Sequence, residues 1–185
     1  MFEKWAILAA DKMKKVNPEE TAPHDVLVFG FTILFNLFFT FLILLIASFL
    51  LNITLLALQI FFSFMILRIL TGGAHFDESL LCSLSSIIFI LLIAFIPVHS
   101  PLIHIYFITT VVLIIFFAPY YERDQVVHSK QWEQKKKPVA LLWVTLCYLF
   151  YHLSGASGFL IGALLQAFLL TPVSIRVTHK LNKLF

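Results

Sequence analysis

The sequence predicts an all-helical membrane protein: a bundle of about six transmembrane helices with an amphipathic helix at its N-terminus. The first observation is composition, since 61% of the 185 residues are hydrophobic and only 12% are charged. A soluble domain carries about 25% charged residues, so this chain lacks the polar surface that water requires. The second is the mean hydropathy of +0.97. The third is that apolar residues form long segments, whose backbone groups must be hydrogen-bonded within helices inside lipid.

Residues 1–25 form the first predicted element, which we expect to lie along the membrane surface. Apolar side chains recur here at roughly helical spacing, and charged residues fill the positions between them. This pattern is typical of an interfacial amphipathic helix, with a solvated arm as the alternative. The apolar positions are Phe2, Trp5, Leu8, Met13 and Val16.

Six apolar segments follow and make up the predicted membrane domain, residues 26–175. A helix needs about 20 residues to cross the hydrocarbon core. Several segments are at or just below this length, so hairpins that re-enter the membrane are an alternative to full spans. The segments are 26–51, 53–70, 80–96, 102–118, 139–153 and 156–175.

The basic residues predict the orientation of these spans. All 13 lysines and arginines fall at the N-terminus, in or next to the loops 71–79 and 119–138, or in the basic tail 176–185. With six spans these parts share one side of the membrane, which the positive-inside rule identifies as the cytosol. We therefore expect a multi-pass cell-membrane protein with both termini in the cytosol. The net charge of +3 reflects this orientation and does not indicate a nucleic-acid partner.

The candidate chemistry lies between the second and third segments, where Cys82 follows His75. A thiol becomes a nucleophile when a base takes its proton, and histidine is the usual base near neutral pH. On one continuous helix these two side chains would be about 10 Å apart. Gly72 and Gly73 predict that the helix ends first and leaves His75 on a flexible connection that can fold back toward the thiol.

The residues after His75 predict the start of the next helix. Asp77 or Ser79 is a suitable N-cap. Cys82 then falls in or just past the first turn, where the positive end of the helix favours a thiolate. Three serines follow that suit either oxyanion stabilisation or polar helix packing: Ser83, Ser85 and Ser86.

Other ionisable residues have simpler interpretations. Cys147 lies within an apolar segment and is expected to be a packing residue. The six remaining histidines are isolated or near segment ends and are interpreted as structural. Arg68 either extends to the lipid headgroups or takes part in function. The acids, His75 and Cys82 lack a recognised ligand spacing, so we expect neither a metal site nor a cofactor.

This region resembles the accessory gene regulator B (AgrB) family, membrane cysteine endopeptidases of Gram-positive quorum sensing. The resemblance rests on Arg68, Gly73, His75 and Cys82, in this order between the second and third spans of a small, basic, six-span protein. It implies that His75 and Cys82 are the catalytic dyad and that Arg68 and Gly73 are needed for activity.

The resemblance also implies a substrate. AgrB proteins act on AgrD-type propeptides, which have an amphipathic leader, a short central segment with a Cys or Ser, and an acidic tail. Cys82 would attack the bond after the central segment, with His75 as base and then as acid. The propeptide's own Cys or Ser would then take over the thioester and close a thiolactone or lactone ring, which gives an autoinducing peptide.

A basic cluster before the fifth segment also matches the family. It consists of Lys135, Lys136 and Lys137. The cluster suits a clamp for the acidic tail of the propeptide, with a topology signal or a contact to lipid phosphates as the alternatives. The family further implies a homodimer, and Gly158 and Gly162 form a small-residue pair that favours close helix packing within or between chains.

Two other functions are consistent with the composition. A peptide exporter would place Arg68 and His75 in its transport path, but the other spans carry no charges and no inverted repeat is visible. A noncatalytic scaffold would use its short spans to bind other membrane subunits.

Overall fold

The structure is a computed structural model that describes residues 2–74, 76–96, 100–121 and 130–184, with the backbone alone for 130–134. These residues contain eight α-helices and no β-strand. The helices are α1 (Phe2–Val16), α2 (His24–Leu50), α3 (Thr54–Thr71), α4 (Ser79–Ala94), α5 (Ser100–Phe117), α6 (Lys130–Ser154), α7 (Gly158–Leu169) and α8 (Pro172–Asn182). The all-helical prediction is thus confirmed for the described residues.

Three of these helices, α2, α3 and α5, are long and apolar enough to cross a membrane. The pair α7 and α8 would supply a fourth span, but the two helices meet at an angle of 68°. Helix α4 is apolar but has only 16 residues. At 1.5 Å per residue it is about 24 Å long, less than the roughly 30 Å of a bilayer core. The predicted count of six spans is therefore not confirmed.

The last predicted segment, 156–175, is not one continuous helix. Helix α7 ends at Leu169, and Pro172 begins α8. Proline lacks the N–H that a continuous helix needs but fits the first turn of a new one. The Thr171 hydroxyl accepts a hydrogen bond from the Ser174 N–H at 3.4 Å and caps the new helix. As a result, much of the predicted basic tail lies in α8.

Helix α1 packs antiparallel against the first half of α2. The Phe2 ring lies 5.2 Å from that of Phe39, and Asp11 Oδ1 lies 3.0 Å from His24 Nε2. Ala6 and Ala10 are buried and allow the helices to approach closely. Other apolar positions of α1 stay exposed, namely Trp5, Leu8, Met13 and Val16. The amphipathic helix is present, and most of its apolar stripe is exposed, although the Trp5 ring also contacts Phe35 of α2.

Helix α7 packs closely against α3 through two glycines. A Cβ at Gly162 would lie 2.2 Å from the carbonyl oxygen of Ile60, and one at Gly158 would lie 2.6 Å from the side chain of Gln59. The Gln59 Oε1 also accepts a hydrogen bond from the Gly158 N–H at 3.2 Å. The small-residue pair therefore serves packing within the chain.

The interior consists of two clusters on either side of α3. One joins α3 to α5, α6 and α7, and the other joins α2, α3 and α4 with Ile161 of α7. Cys147 is fully buried in the first cluster, with its Sγ 3.6 Å from Ser63 Oγ, as expected of a packing residue. These contacts fix the C-terminal end of α3 relative to α4 and α7.

Candidate functional site

A cavity of about 230 Å³ opens where the end of α3, the start of α4 and the α7–α8 bend meet. Cys82 and Arg68 both line it, so the structure brings together two of the residues that the sequence singled out. Most of the remaining lining is apolar, and it includes Phe64, Phe89, Leu169 and Val177. A largely apolar pocket with a few polar groups is typical of a ligand site.

Cys82 lies at the N-terminal end of α4 and is half-buried. Its N–H donates to the carbonyl of Glu78 at 3.0 Å, which closes the first turn. The N-cap residue is Glu78, without a side-chain cap bond, so the prediction of Asp77 or Ser79 at that position is wrong. The predicted placement of Cys82 beside the first turn is nevertheless correct.

Arg68 lies in the last turn of α3 and is held inside the protein. Its Nη2 donates to the carbonyl of Ala74 at 2.8 Å, and its guanidinium carbon lies 5.9 Å from the centre of the Phe64 ring. The other amino group, Nη1, is buried with no hydrogen-bond partner among the described residues. Arg68 therefore does not extend to the headgroups.

The segment that precedes His75 is fixed from both sides. The Gly73 N–H donates to the carbonyl of Tyr120, and the Tyr120 N–H donates to the carbonyl of Thr71, each at 2.9 Å. On the other side the Ala74 N–H donates to the carbonyl of Leu169, also at 2.9 Å. The flexible connection predicted here is therefore wrong, because hydrogen bonds from two distant parts of the chain hold it.

The two glycines are required by this conformation. Gly72 and Gly73 have φ angles of 70° and 119°, which side chains other than glycine rarely tolerate. A Cβ at Gly72 would also lie 2.0 Å from the carbonyl oxygen of Tyr120. A Cβ at Gly73 would lie 3.2 Å from both Gln166 Nε2 and the carbonyl oxygen of Leu169. Gly73 thus permits an unusual backbone and a close approach to α7.

Gln166 is a residue of the site that sequence reasoning missed. Its side chain is fully buried in α7, and its Nε2 donates to the carbonyl of Gly72 and, at 3.3 Å, to Thr71 Oγ1. The available signal was a lone amide within the apolar segment 156–175. A polar side chain in such a segment needs a partner, and here the partner is the backbone before His75.

His75 itself lies outside the described residues, so its pairing with Cys82 stays a prediction. Its two neighbours are described, and both Ala74 and Phe76 line the cavity that contains Cys82.

The serines after Cys82 take part in helix packing. Ser85 and Ser86 donate back to the carbonyl of Cys82 at 3.0 and 2.8 Å. Ser83 is buried and bonds to Asn36 and Thr40 of α2. The contacts of Ser83 favour the packing interpretation, whereas Ser85 and Ser86 line the cavity beside Cys82.

The basic cluster lies at the start of α6, outside the lining of the cavity. Lys136 Nζ donates to the Tyr121 hydroxyl at 3.2 Å, and that hydroxyl donates to the carbonyl of Leu70 at 2.7 Å. Lys137 Nζ donates to the carbonyl of Ile115 near the end of α5. Lys135 is exposed. Lys137 therefore contacts the end of α5, and Lys136 contacts the segment that follows α5.

Helix α8 also contributes to the site, which sequence reasoning did not predict. Val173, Val177 and Leu181, spaced four residues apart on one face, line the cavity opposite Cys82. Among the described residues no group of three or more His, Cys, Asp or Glu side chains is placed to hold a metal ion.

Comparison with known proteins shows which family the chain is similar to. The family model described as Accessory gene regulator B matches residues 6–170. An AgrB-like protein of Halalkalibacterium halodurans is 42% identical over 184 residues, which cover 99% of this chain and 93% of the relative. No solved structure matches the chain.

Proposed function

The chain belongs to the accessory gene regulator B family, and from this membership we propose that it is a membrane cysteine endopeptidase that matures an AgrD-type propeptide for quorum sensing. The observation that carries the proposal is the cavity in which Cys82 and Arg68 lie together. The resemblance assigns the roles of nucleophile and base to Cys82 and His75.

In the first half of the reaction, His75 takes the proton of the Cys82 thiol, and the thiolate attacks the carbonyl after the central segment of the propeptide. The oxygen becomes negative in the tetrahedral intermediate. When the C–N bond breaks, His75 returns the proton to the leaving amine, and a thioester to Cys82 remains. The acidic tail leaves as a separate peptide.

Arg68 supplies the electrostatic stabilisation for this step. Its Nη1 is a buried N–H donor with no partner among the described residues, beside the cavity that Cys82 also lines. A preorganised donor at a developing oxyanion is worth most in a site from which water is excluded. The bond from Nη2 to the Ala74 carbonyl keeps the guanidinium in position.

In the second half, a Cys or Ser of the propeptide attacks the thioester. His75 accepts its proton and passes it to the departing sulfur of Cys82, which closes a thiolactone or lactone ring. Water would compete as the nucleophile, and the apolar side chains around Cys82 restrict its access.

The proposal includes six membrane spans with both termini and Cys82 at the cytosolic side. Of the basic cluster, Lys135 is exposed and suits the clamp for the acidic tail. Lys136 is bonded to Tyr121 and Lys137 to the end of α5, so both suit a structural role.

Co-expression with a candidate propeptide tests the function. We expect the wild type to produce the cyclic peptide by mass spectrometry and both Cys82→Ala and His75→Ala to lose cleavage. Cys147→Ala is the matched control, because this buried cysteine lies outside the cavity. Full processing by Cys82→Ala would contradict the proposal. An exporter would instead carry an uncleaved peptide across the membrane of vesicles, and Cys82→Ala would not change this transport.

A further inference from the structure

The cavity beside Cys82 has the size and the lining of a pocket for one large apolar side chain. Its volume is about 230 Å³. A cavity of about 150 Å³ lined by apolar side chains is enough to bind benzene. Its walls come from four helices and carry aromatic and branched aliphatic groups, including Phe64, Phe89 and Leu169. An apolar group placed there gains free energy by leaving water.

The position of the pocket indicates which substrate residue fills it. Cys82 and Arg68 form part of the wall, so the attacked carbonyl lies at the edge of the pocket. The side chain nearest to a carbonyl carbon belongs to the residue that carries it. The residue immediately before the cleaved bond is therefore the one whose side chain reaches the pocket.

Helix α8 forms the outer wall. Val173 and Val177 line the cavity, yet they are 69% and 51% exposed, so the pocket is open on this side and an occupant would cover them. The basic residues of α8, Arg176 and Lys180, occupy a different face of the helix from the lining residues. The lining face, which is apolar except for the hydroxyl groups of Ser174 and Thr178, thus meets the occupant and the basic face does not.

Helix α8 is attached to the bundle at its ends. The Thr171 cap fixes its start, and the Asp77 N–H donates to Asn182 Oδ1 at 3.4 Å near its end. No residue of α8, all of which the structure describes, is buried. A substitution on its apolar face therefore changes the shape of the pocket without disturbing the core.

We propose that this cavity binds the bulky apolar side chain of the residue whose carbonyl Cys82 attacks, and that Val177 on α8 sets the largest side chain accepted. This inference rests on the proposed function. It assigns the selection of substrate side chains to α8, which lies outside the family motif.

Alkylation of Cys82 tests the pocket without any propeptide. The reagents are N-methylmaleimide and N-phenylmaleimide, applied to purified protein in which Cys147→Ala removes the second cysteine. We expect Val177→Phe to lower the rate with the phenyl reagent about tenfold relative to the methyl reagent, since small volume changes in apolar pockets discriminate by such factors. Leu184→Phe is the matched control, because Leu184 is 75% exposed and does not line the cavity. An equal rate ratio in Val177→Phe and the control overturns the pocket.

Cleavage of a propeptide series tests the assignment of the pocket. Propeptides carry Ala, Leu, Phe or Trp before the cleaved bond. We expect the wild type to prefer Leu and Phe, Val177→Phe to prefer Ala, and Val177→Ala to accept Trp as well. If no Val177 variant changes the preference, the inference is overturned, even when every propeptide is cleaved. If the wild type cleaves none of them while the maleimide ratio shifts as expected, the proposed function fails and the apolar pocket stands.

Discussion

Arg68 shows how one half-buried side chain holds the local backbone and lines the same cavity as Cys82. One amino group holds the carbonyl of Ala74, and the other remains available at the cavity that contains Cys82. A lysine has a charge of the same sign, but it lacks the planar, forked set of donors that serves two acceptors at once. The geometry thus requires an arginine.

We expect Arg68→Lys to lower kcat by about 100-fold, as loss of one oxyanion donor does elsewhere, with little change in KM. The measurement is steady-state cleavage of the propeptide in proteoliposomes. Arg176→Lys is the matched control, since Arg176 is exposed on α8. Full activity of Arg68→Lys would show that charge alone suffices.

Gln166 leads to a second prediction about a single side chain. Gln166→Leu keeps a similar volume but removes the donor to the Gly72 carbonyl, so that a buried acceptor loses its partner. We expect a loss of roughly 1–3 kcal/mol in the free energy of unfolding and a lower kcat. Gln59→Leu serves as the control, since Gln59 also bonds across α3 and α7 but away from the cavity. Equal effects of both variants on kcat would refute a positioning role.

For individual residues, the sequence identified two side chains that line the cavity but not the residues that hold the backbone around them. Cys82 and Arg68 were identified because a thiol and a guanidinium are unusual at the edge of an apolar segment. Gln166 was not, because an uncharged amide there has the same appearance whether or not it bonds to a distant loop. The predicted flexibility at Gly72 and Gly73 was wrong for a related reason. The backbone groups that hold this segment belong to Tyr120 and Leu169, which lie far along the chain.

The close packing of α7 on α3 governs the geometry of the site at the scale of helices. Both helices end beside the cavity, and their contact is set by Gly158 and Gly162. Any increase in the distance between them would also shift the Leu169 carbonyl that fixes Ala74.

We expect Gly162→Ala to destabilise the fold by about 1–3 kcal/mol, because its methyl group would overlap the carbonyl of Ile60. Thermal unfolding in detergent is the measurement. Gly30→Ala is the control, because a Cβ at Gly30 meets no atom within 4 Å among the described residues. Alanine favours a helix by up to about 1 kcal/mol over glycine, so this control should be more stable than the wild type. Destabilisation of both variants to the same extent would contradict the packing argument.

Across the whole molecule, composition sufficed to predict a helical membrane bundle but not the number of spans. Length decides whether an apolar helix crosses a bilayer, and α4 falls short of that length by several residues. The bend between α7 and α8 depends on Pro172 and on the cap at Thr171, which a hydropathy profile does not detect. The sequence located the apolar segments, but it did not show which of them form one continuous helix.

The proposed six-span topology makes a prediction at this scale. Alkaline phosphatase, which is active only outside the cytosol, is fused after Ile96 or after Tyr121. We expect activity from the first fusion and none from the second, because the positive-inside rule places the loop after α4 outside and the loop after α5 inside. Inactivity of both fusions would indicate that α4 and α5 re-enter the membrane from the cytosol.

The bonds from Tyr120 and Leu169 to the segment 71–74 also have a consequence for biosynthesis. A chain made from its N-terminus contains Arg68 and Cys82 long before the ribosome has reached Tyr120 and Leu169. The hydrogen bond of Gly73 can form only after Tyr120 has been made, and that of Ala74 only after Leu169, the last residue of α7, has been made. The nascent chain thus carries its nucleophile early and completes the surroundings of that nucleophile almost last, so that an unfinished or truncated chain holds the cysteine without the geometry that would make it active.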